Sequence, residues 1–377
     1  MVSMGLCLCR YAYAPLIPAM IAEGWVDKAG AGYLGGFNAL GYLGGAIVAI
    51  LLPKHLSLGL ILRVSIVTVF LSLLMCAWNL GFAWLATART LTGLAGAVLV
   101  IHAPSLALAP VPQRWKKFAG GAIFAGAGST ILMISLALPG FLETSVGSGW
   151  LLEAGVALAV GTVAWPLAAS AQTPNAPTRR KSHLTAPQAK SLRILGSAYF
   201  LAGVGITPHT LFLTDYLHRD LHVATASSIY YYSLIGLGSF CGALAGGAAA
   251  RVLGTWQSLS ANYLLGTAAV ALVLIGDGPI WVSLSVFGIG FFLLACVALS
   301  SQRTAEIAGA ADHPRYWGVL TLALGVGITV GSYALAWLID VGWSYRSTFV
   351  IAALSLALGF FLSLGPGLRT QQLAADS

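Results

Sequence analysis

Runs of roughly 20 apolar residues, each long enough to cross a bilayer core of about 30 Å as a helix, follow one another along this chain. Twelve can be delimited, at about 1–22, 30–52, 59–79, 81–106, 119–142, 150–170, 192–217, 224–249, 257–276, 279–302, 317–339 and 344–365. Only 8% of the 377 residues are charged and 58% are hydrophobic, whereas soluble domains carry about 25% charged residues. The expectation is an all-α membrane protein with twelve transmembrane helices, an even number that leaves both termini on one side.

The one long polar interval, Gln172 to Arg193, divides two hydrophobic halves. Pro174, Pro177 and Pro187 argue against a helix running through it, and Arg179, Arg180, Lys181, Lys190 and Arg193 concentrate positive charge there. The domains are therefore expected as an N-terminal six-helix bundle (1–170), a cytoplasmic linker (171–191), a C-terminal six-helix bundle (192–365) and a cytoplasmic tail (366–377).

Cationic loops stay cytoplasmic, and fourteen of the 19 Lys and Arg residues fall on that side of the twelve-helix topology: Lys54, Arg63, Arg114, Lys116, Lys117, Arg251, Arg303, Arg315, Arg369 and the five of the linker. Glu23, Asp27, Glu143, Asp215, Asp220, Asp277 and Asp340 gather at the opposite ends. The net charge of +8 is thus accounted for by topology, and no nucleic-acid partner is expected. All five cysteines lie in apolar runs, so no disulfide framework is implied, and Cys7-x-Cys9 reads as small helix residues rather than metal ligands. The first run lacks a cleavage site after a basic segment and reads as a retained helix; its start at Met1, with no cytoplasmic tail, suggests a truncated or misassigned beginning.

The halves repeat. An offset of 197 residues lays Tyr33–Ile47 over Tyr230–Leu244, matching Gly41 with Gly238 and Gly45 with Gly242, and it also matches Gly121 with Gly318, Gly128 with Gly325 and Glu143 with Asp340. One offset serving separate helix pairs predicts two parallel six-helix repeats. Glycine ladders such as Gly41/Gly45, Gly242/Gly246 and Gly327/Gly331 let helix backbones approach closely in lipid.

Arg10 and Arg89 fall near mid-membrane at 1.5 Å per residue. A charge there costs at least about 2.5–3.5 kcal/mol unless it faces a partner or a wet cavity. With Glu23, Asp27 and Glu143 at outer ends and Glu153 near one, no carboxylate is expected at their depth, so either backbone carbonyls or an anionic ligand satisfy them. Tyr11 and Tyr13 flank Pro15 and Pro18, which loosen the first helix; Thr207, Pro208 and His209 interrupt the seventh at the corresponding place. Paired interrupted helices are the pattern of a central site between repeats. His209 can change charge near neutral pH and Asp215 lies six residues nearer the outside, a candidate proton relay; the alternative is that His209 satisfies a neighbouring carbonyl and Asp215 caps the interface. Asn38 and Tyr42 share one helix face, and Tyr230, Tyr231 and Tyr232 occupy the equivalent region. His102 has no assigned role.

GLCLCRYAYAPLIPAM, followed by GYLGG, resembles the opening and second helix of the YbfB/YjiJ-like branch of the major facilitator superfamily. Arg89-Thr-Leu-Thr-Gly93 is similar to the R-x-x-x-G of the superfamily's fourth helix, and GVGITPHTLFLTDYL to that branch's seventh. Cys7 and Cys9 stand where the branch has glycines and Tyr11 where it has Phe. The loop Pro53–Ser57 lacks the G-x-x-x-D-R signature, and its repeat keeps Arg251 but has Ala250 for the Asp.

The resemblance implies a transporter working by alternating access, without cofactor and without enzymatic activity, in the bacterial inner membrane with both termini cytoplasmic. The expected cargo is a small, anionic organic solute moved with protons, by a monomer in contact with lipid. An exporter of amphiphilic compounds or a non-transporting sensor are the alternatives. Arg10, Tyr13, Asn38, Tyr42, Arg89, Thr207 and His209 are the substrate candidates, His209 and Asp215 the coupling candidates. Arg10→Ala and Arg89→Ala are each expected to abolish transport while folding survives.

Overall fold

The structure, a computed structural model, describes residues 1–52, 56–108, 110–112, 116–171, 184–309 and 312–365. Lys54, Arg114, the linker residues 172–183 and the tail from 366 lie outside the described residues, and with them most of the loop Pro53–Ser57 and much of the linker expected above. Everything regular is helical: α1 (Ile17–Ala22), α2 (Lys28–Leu51), α3 (Leu58–Met75), α4 (Phe82–Leu108), α5 (Lys116–Leu142), α6 (Val146–Ala169), α7 (Ala186–Thr207), α8 (Leu213–Arg219), α9 (Thr225–Leu253), α10 (Thr255–Ile275), α11 (Pro279–Ala308), α12 (His313–Asp340) and α13 (Tyr345–Ser363).

Short polar side chains set several of the starts. Asp27 accepts from the backbone N–H of Gly30 to open α2, Ser57 does the same for α3 and Ser145 for α6. Thr185 and Gln188 form a capping box at α7. Pro187 therefore does not stop a helix: it sits in the first turn of α7, where its missing N–H would have no helical partner anyway. The segment expected to be linker through residue 191 is already helical from Ala186.

Among the described residues nine helices are long and apolar enough to cross a membrane. Two of the twelve expected runs are broken for identifiable reasons. Residues 4–22 are broken into a π turn (Met4–Leu8), a 3-10 turn (Tyr11–Leu16) and the short α1. The seventh run is likewise divided into α7, a π turn (Pro208–Phe212) and α8. Prolines without N–H groups at 15, 18 and 208 account for both interruptions. α2 is unbroken over its 24 residues.

The offset of 197 reappears as packing. A Cβ on Gly41 would meet the carbonyl of Thr90 at 2.1 Å and one on Gly45 that of Leu94 at 2.1 Å; on Gly238 and Gly242 it would meet Phe287 and Phe291 at 2.2 and 2.1 Å. Each second pair is the first moved by the same offset, so α2 lies on α4 as α9 lies on α11. Gly128 against Phe240 is answered by Gly325 against Leu43, which carries the correspondence across the contact between the halves.

At the end bearing Glu23, Asp27, Asp220 and Asp340, the acidic end, the halves touch directly. Thr214 donates to the carbonyl of Ala14 at 2.6 Å, and Tyr33 reaches Asp340 at 3.5 Å. A Cβ on Gly32 would lie 2.6 Å from that of Ala336. Towards the other end the first segment, Met4–Leu8, packs on α4, α5 and α6 of its own half.

Candidate functional site

The two broken segments meet at the centre and leave a small cavity lined by Arg10, Tyr13, Gly35, Asn38 and Arg89 from one half and Thr207, Thr210, Leu211, Ile328 and Ser332 from the other. Its water-accessible volume is about 20 Å³, room for about one water molecule. Two facing pairs, Arg10 with Thr207 and Tyr13 with Thr210, are again related by the offset of 197. The interruptions thus place the same two turns of each repeat against one another.

Arg89 is the buried member of the cationic pair, 1% exposed. Its guanidinium carbon stands 4.4 Å from the ring centre of Tyr13 and 5.8 Å from that of Trp150, two rings that stack at 6.0 Å. Tyr13 is fixed by donating its hydroxyl to the carbonyl of Ala31 at 2.9 Å. Asn38 donates to the Arg89 carbonyl at 3.0 Å, which ties α2 to α4 at cavity depth. Arg10 is half-buried over the Tyr11 ring at 5.6 Å, and no described carboxylate bridges to it. Thr207 and Thr210 give their hydroxyl protons to the carbonyls of Gly203 and Ile206, one turn back in their own segment.

Three sequence expectations need correction. First, Glu153 is not at an outer end. It lies seven residues into α6, as Arg89 lies seven residues into α4, and it is 0% exposed. A carboxylate therefore exists at the depth of Arg89, within its electrostatic reach. Second, His209 does not line the cavity. Its Nε2 lies 2.9 Å from the Ser285 hydroxyl and its ring packs edge-on against Phe349 at 5.0 Å, inside the C-terminal half. Third, His209 and Asp215 do not form a relay. Asp215 accepts instead from Arg219 at 2.9 Å and from the Tyr345 hydroxyl.

The remaining candidates are spread. Tyr42 is half-buried one turn from Asn38, beside Gly325 and within electrostatic reach of Arg10. Tyr232 is buried and donates to the Thr210 carbonyl, Tyr231 is half-buried and Tyr230 is 48% exposed. His102 has its Nε2 3.0 Å from the Ala49 carbonyl on α2. At the acidic end, outside the spans, burial raises the Asp220 carboxyl above its ordinary range, opposed by Lys28. Sequence reading missed Thr210, Ser332 and Glu153. The offset applied to Tyr13 points to Thr210, and the serine cap at 145 lengthens α6 enough to bring Glu153 to depth.

Residues 1–364 match the family described as "Uncharacterised MFS-type transporter YbfB". Comparison with curated proteins found no match. Among solved structures the chain is similar to the crystal structure of the human organic anion transporter MFSD10 (TETRAN), with 16% identity and a TM-score of 0.66 over 96% of this chain and 97% of that one. At that identity the likeness is one of fold.

Proposed function

The chain belongs to the YbfB-like family of the major facilitator superfamily, and from that premise we propose that this multi-pass membrane transporter moves a small organic anion by alternating access, together with protons. The observation that carries the reading is the pair Arg10 and Arg89 at one cavity between the halves, neither of them bridged by a carboxylate among the described residues. Two cations in a low-dielectric wall attract one or two negative charges, and a planar guanidinium grips a carboxylate through two parallel hydrogen bonds. The solved fold neighbour is itself described as an organic anion transporter, so the fold accommodates such cargo.

Twelve spans in two parallel six-helix bundles, 1–170 and 192–365, form the moving parts, with the first and seventh interrupted helices on the axis between them. The basic ends face the cytoplasm of a bacterial inner membrane, and the linker after residue 171 joins the bundles on that side. Packing equivalence at one offset supports this division. A cavity with room for about one water is too small for an organic anion. Rocking one bundle against the other opens it while the acidic-end contacts part.

The test is thermal unfolding of the purified full chain in detergent against benzoate, lactate, citrate, amino acids, sugars and tetraphenylphosphonium, beside Arg10→Ala. A compound binding only the native state adds RT ln(1 + [L]/Kd), about 2.7 kcal/mol at a hundredfold excess over Kd. The expected result is a rise in melting temperature with a carboxylate that vanishes in Arg10→Ala. Shifts with tetraphenylphosphonium alone would replace the anion reading by export of amphiphilic cations.

A further inference from the structure

We propose that Glu153 is the proton-carrying group of the transport cycle, and that Arg89 makes its protonation conditional on the anion in the cavity. This rests on the anion reading above for its second half only.

Glu153 is 0% exposed at membrane depth, and neither of its carboxylate oxygens has a hydrogen-bond partner among the described residues. Arg89, at the same depth on α4, has Nε and Nη1 without acceptors, and Trp150, one turn before Glu153, has Nε1 without one. These are complementary sets, three donors and two acceptors, gathered in one region yet not closed into a direct ion pair. Buried polar groups are rarely left without hydrogen bonds, and ionisable groups inside membrane spans mark proton or substrate paths.

The other half of the molecule shows that the fold does not need these charges. At the offset of 197, Val286 on α11 stands for Arg89, and α13, the counterpart of α6, carries no acidic residue. The same helix arrangement packs there on apolar side chains.

The groups facing Glu153 are few. α4 supplies Arg89, the first segment the Cys7 and Cys9 thiols, the end of α3 the Cys76 thiol and α9 the Tyr232 hydroxyl. α5 bears no titratable side chain after Lys117. Asp215 is unsuited to the same task because Arg219 and Tyr345 already hold it. One guanidinium therefore has two competing anions. With the cavity empty, the Glu153 carboxylate balances Arg89. When an anion reaches Arg89 from the cavity side, the second negative charge raises the proton affinity of Glu153. The carboxylate then takes a proton from hydronium, leaving water and a neutral carboxylic acid. Departure of the anion reverses the step, so one proton accompanies each anion and Arg89 remains neutralised throughout.

The test uses the full chain in liposomes. Acidification without added anion should give a carboxylic-acid C=O infrared band in the wild type that is absent from Glu153→Gln; an identical band in both overturns the proposal. With the carboxylate that stabilises the wild type, calorimetry in buffers of different ionisation heat should read about one proton taken up per anion bound, and none in Glu153→Gln, which still binds. An imposed pH gradient should then accelerate uptake only in the wild type, while exchange of labelled for unlabelled probe persists in the variant. Gradient-driven uptake by Glu153→Gln overturns the proposal. If Glu153→Gln does not fold, Glu153→Asp serves, and an infrared band unmoved in it is equally fatal. Should benzoate, lactate and citrate all fail to bind, the anion reading falls by itself and the ligand-free infrared result still decides whether Glu153 takes the proton.

Discussion

At the scale of single residues the polar positions of the cavity wall differ in how plainly the sequence announces them. Arg10, Arg89 and Asn38 stand out because a charge or amide inside an apolar run is costly and must have a destination. Thr210 and Ser332 do not, because a hydroxyl in a helix can spend its proton on the preceding turn, as Thr210 does, and leave no trace in the pattern. Glu153 was misplaced by four residues of helix: a run counted from Trp150 leaves it near the end, whereas α6 starts at Val146 behind the Ser145 cap, in a stretch whose glycine and serine dilute hydropathy. Its presence alters what the arginine variants should do. Removing one member of a buried pair leaves an uncompensated charge worth about 3–5 kcal/mol of stability. Arg89→Ala should therefore lower the melting temperature strongly, and Arg89→Ala with Glu153→Gln should recover most of the loss. Half-buried Arg10 should cost little when replaced. The check is a double-mutant cycle on unfolding; equal destabilisation in the single and double Arg89 variants would disconnect the two residues.

Elements follow from spacing more faithfully than their ends do. Continuous apolar runs gave the long helices, and prolines gave the two broken ones, but the start of α7 at Ala186 depended on a capping box that outweighs the local polarity. Glycines within these helices divide into two kinds that sequence alone does not separate. Gly41 lies with the Thr90 carbonyl where a Cβ would be, while Gly44, three residues on, has nothing within 4 Å of that point. Gly41→Ala should push α2 from α4, costing about 1–3 kcal/mol as overpacking does. Gly44→Ala should be neutral or stabilising by up to about 1 kcal/mol, since an alanine leaves the unfolded chain fewer conformations to lose on folding than a glycine does. Melting temperatures in one detergent compare them directly. The equivalents Gly238 and Gly242 should behave as Gly41 does, because the repeat copies the contact and not merely the letter.

For the whole molecule, the two halves meet along α2 against α12 and α5 against α9, and hydrogen bonds join them at the acidic end. Thr214 on the Ala14 carbonyl and Tyr33 near Asp340 are single hydrogen bonds, each worth about 0.5–1.5 kcal/mol net. Hydrogen bonds of that size can be exchanged for others during a cycle; the α2–α4 and α9–α11 packings lie within the halves, and α5 meets α9 between them at Gly128 and Gly236. The boundary between rigid and movable surface therefore runs through the cavity, where Arg10 and Thr207 face one another from matching turns. A covalent link across the acidic end should arrest the motion without disturbing either half. Gly32 and Ala336 suit it, with Cβ positions 2.6 Å apart that need to relax to the roughly 3.8 Å of a disulfide. In a Gly32→Cys, Ala336→Cys variant, oxidation should stop transport of any stabilising carboxylate and reduction should restore it, with the melting temperature unchanged or raised. Transport that survives complete cross-linking would mean that the acidic end does not open, and alternating access across this cavity would then be wrong.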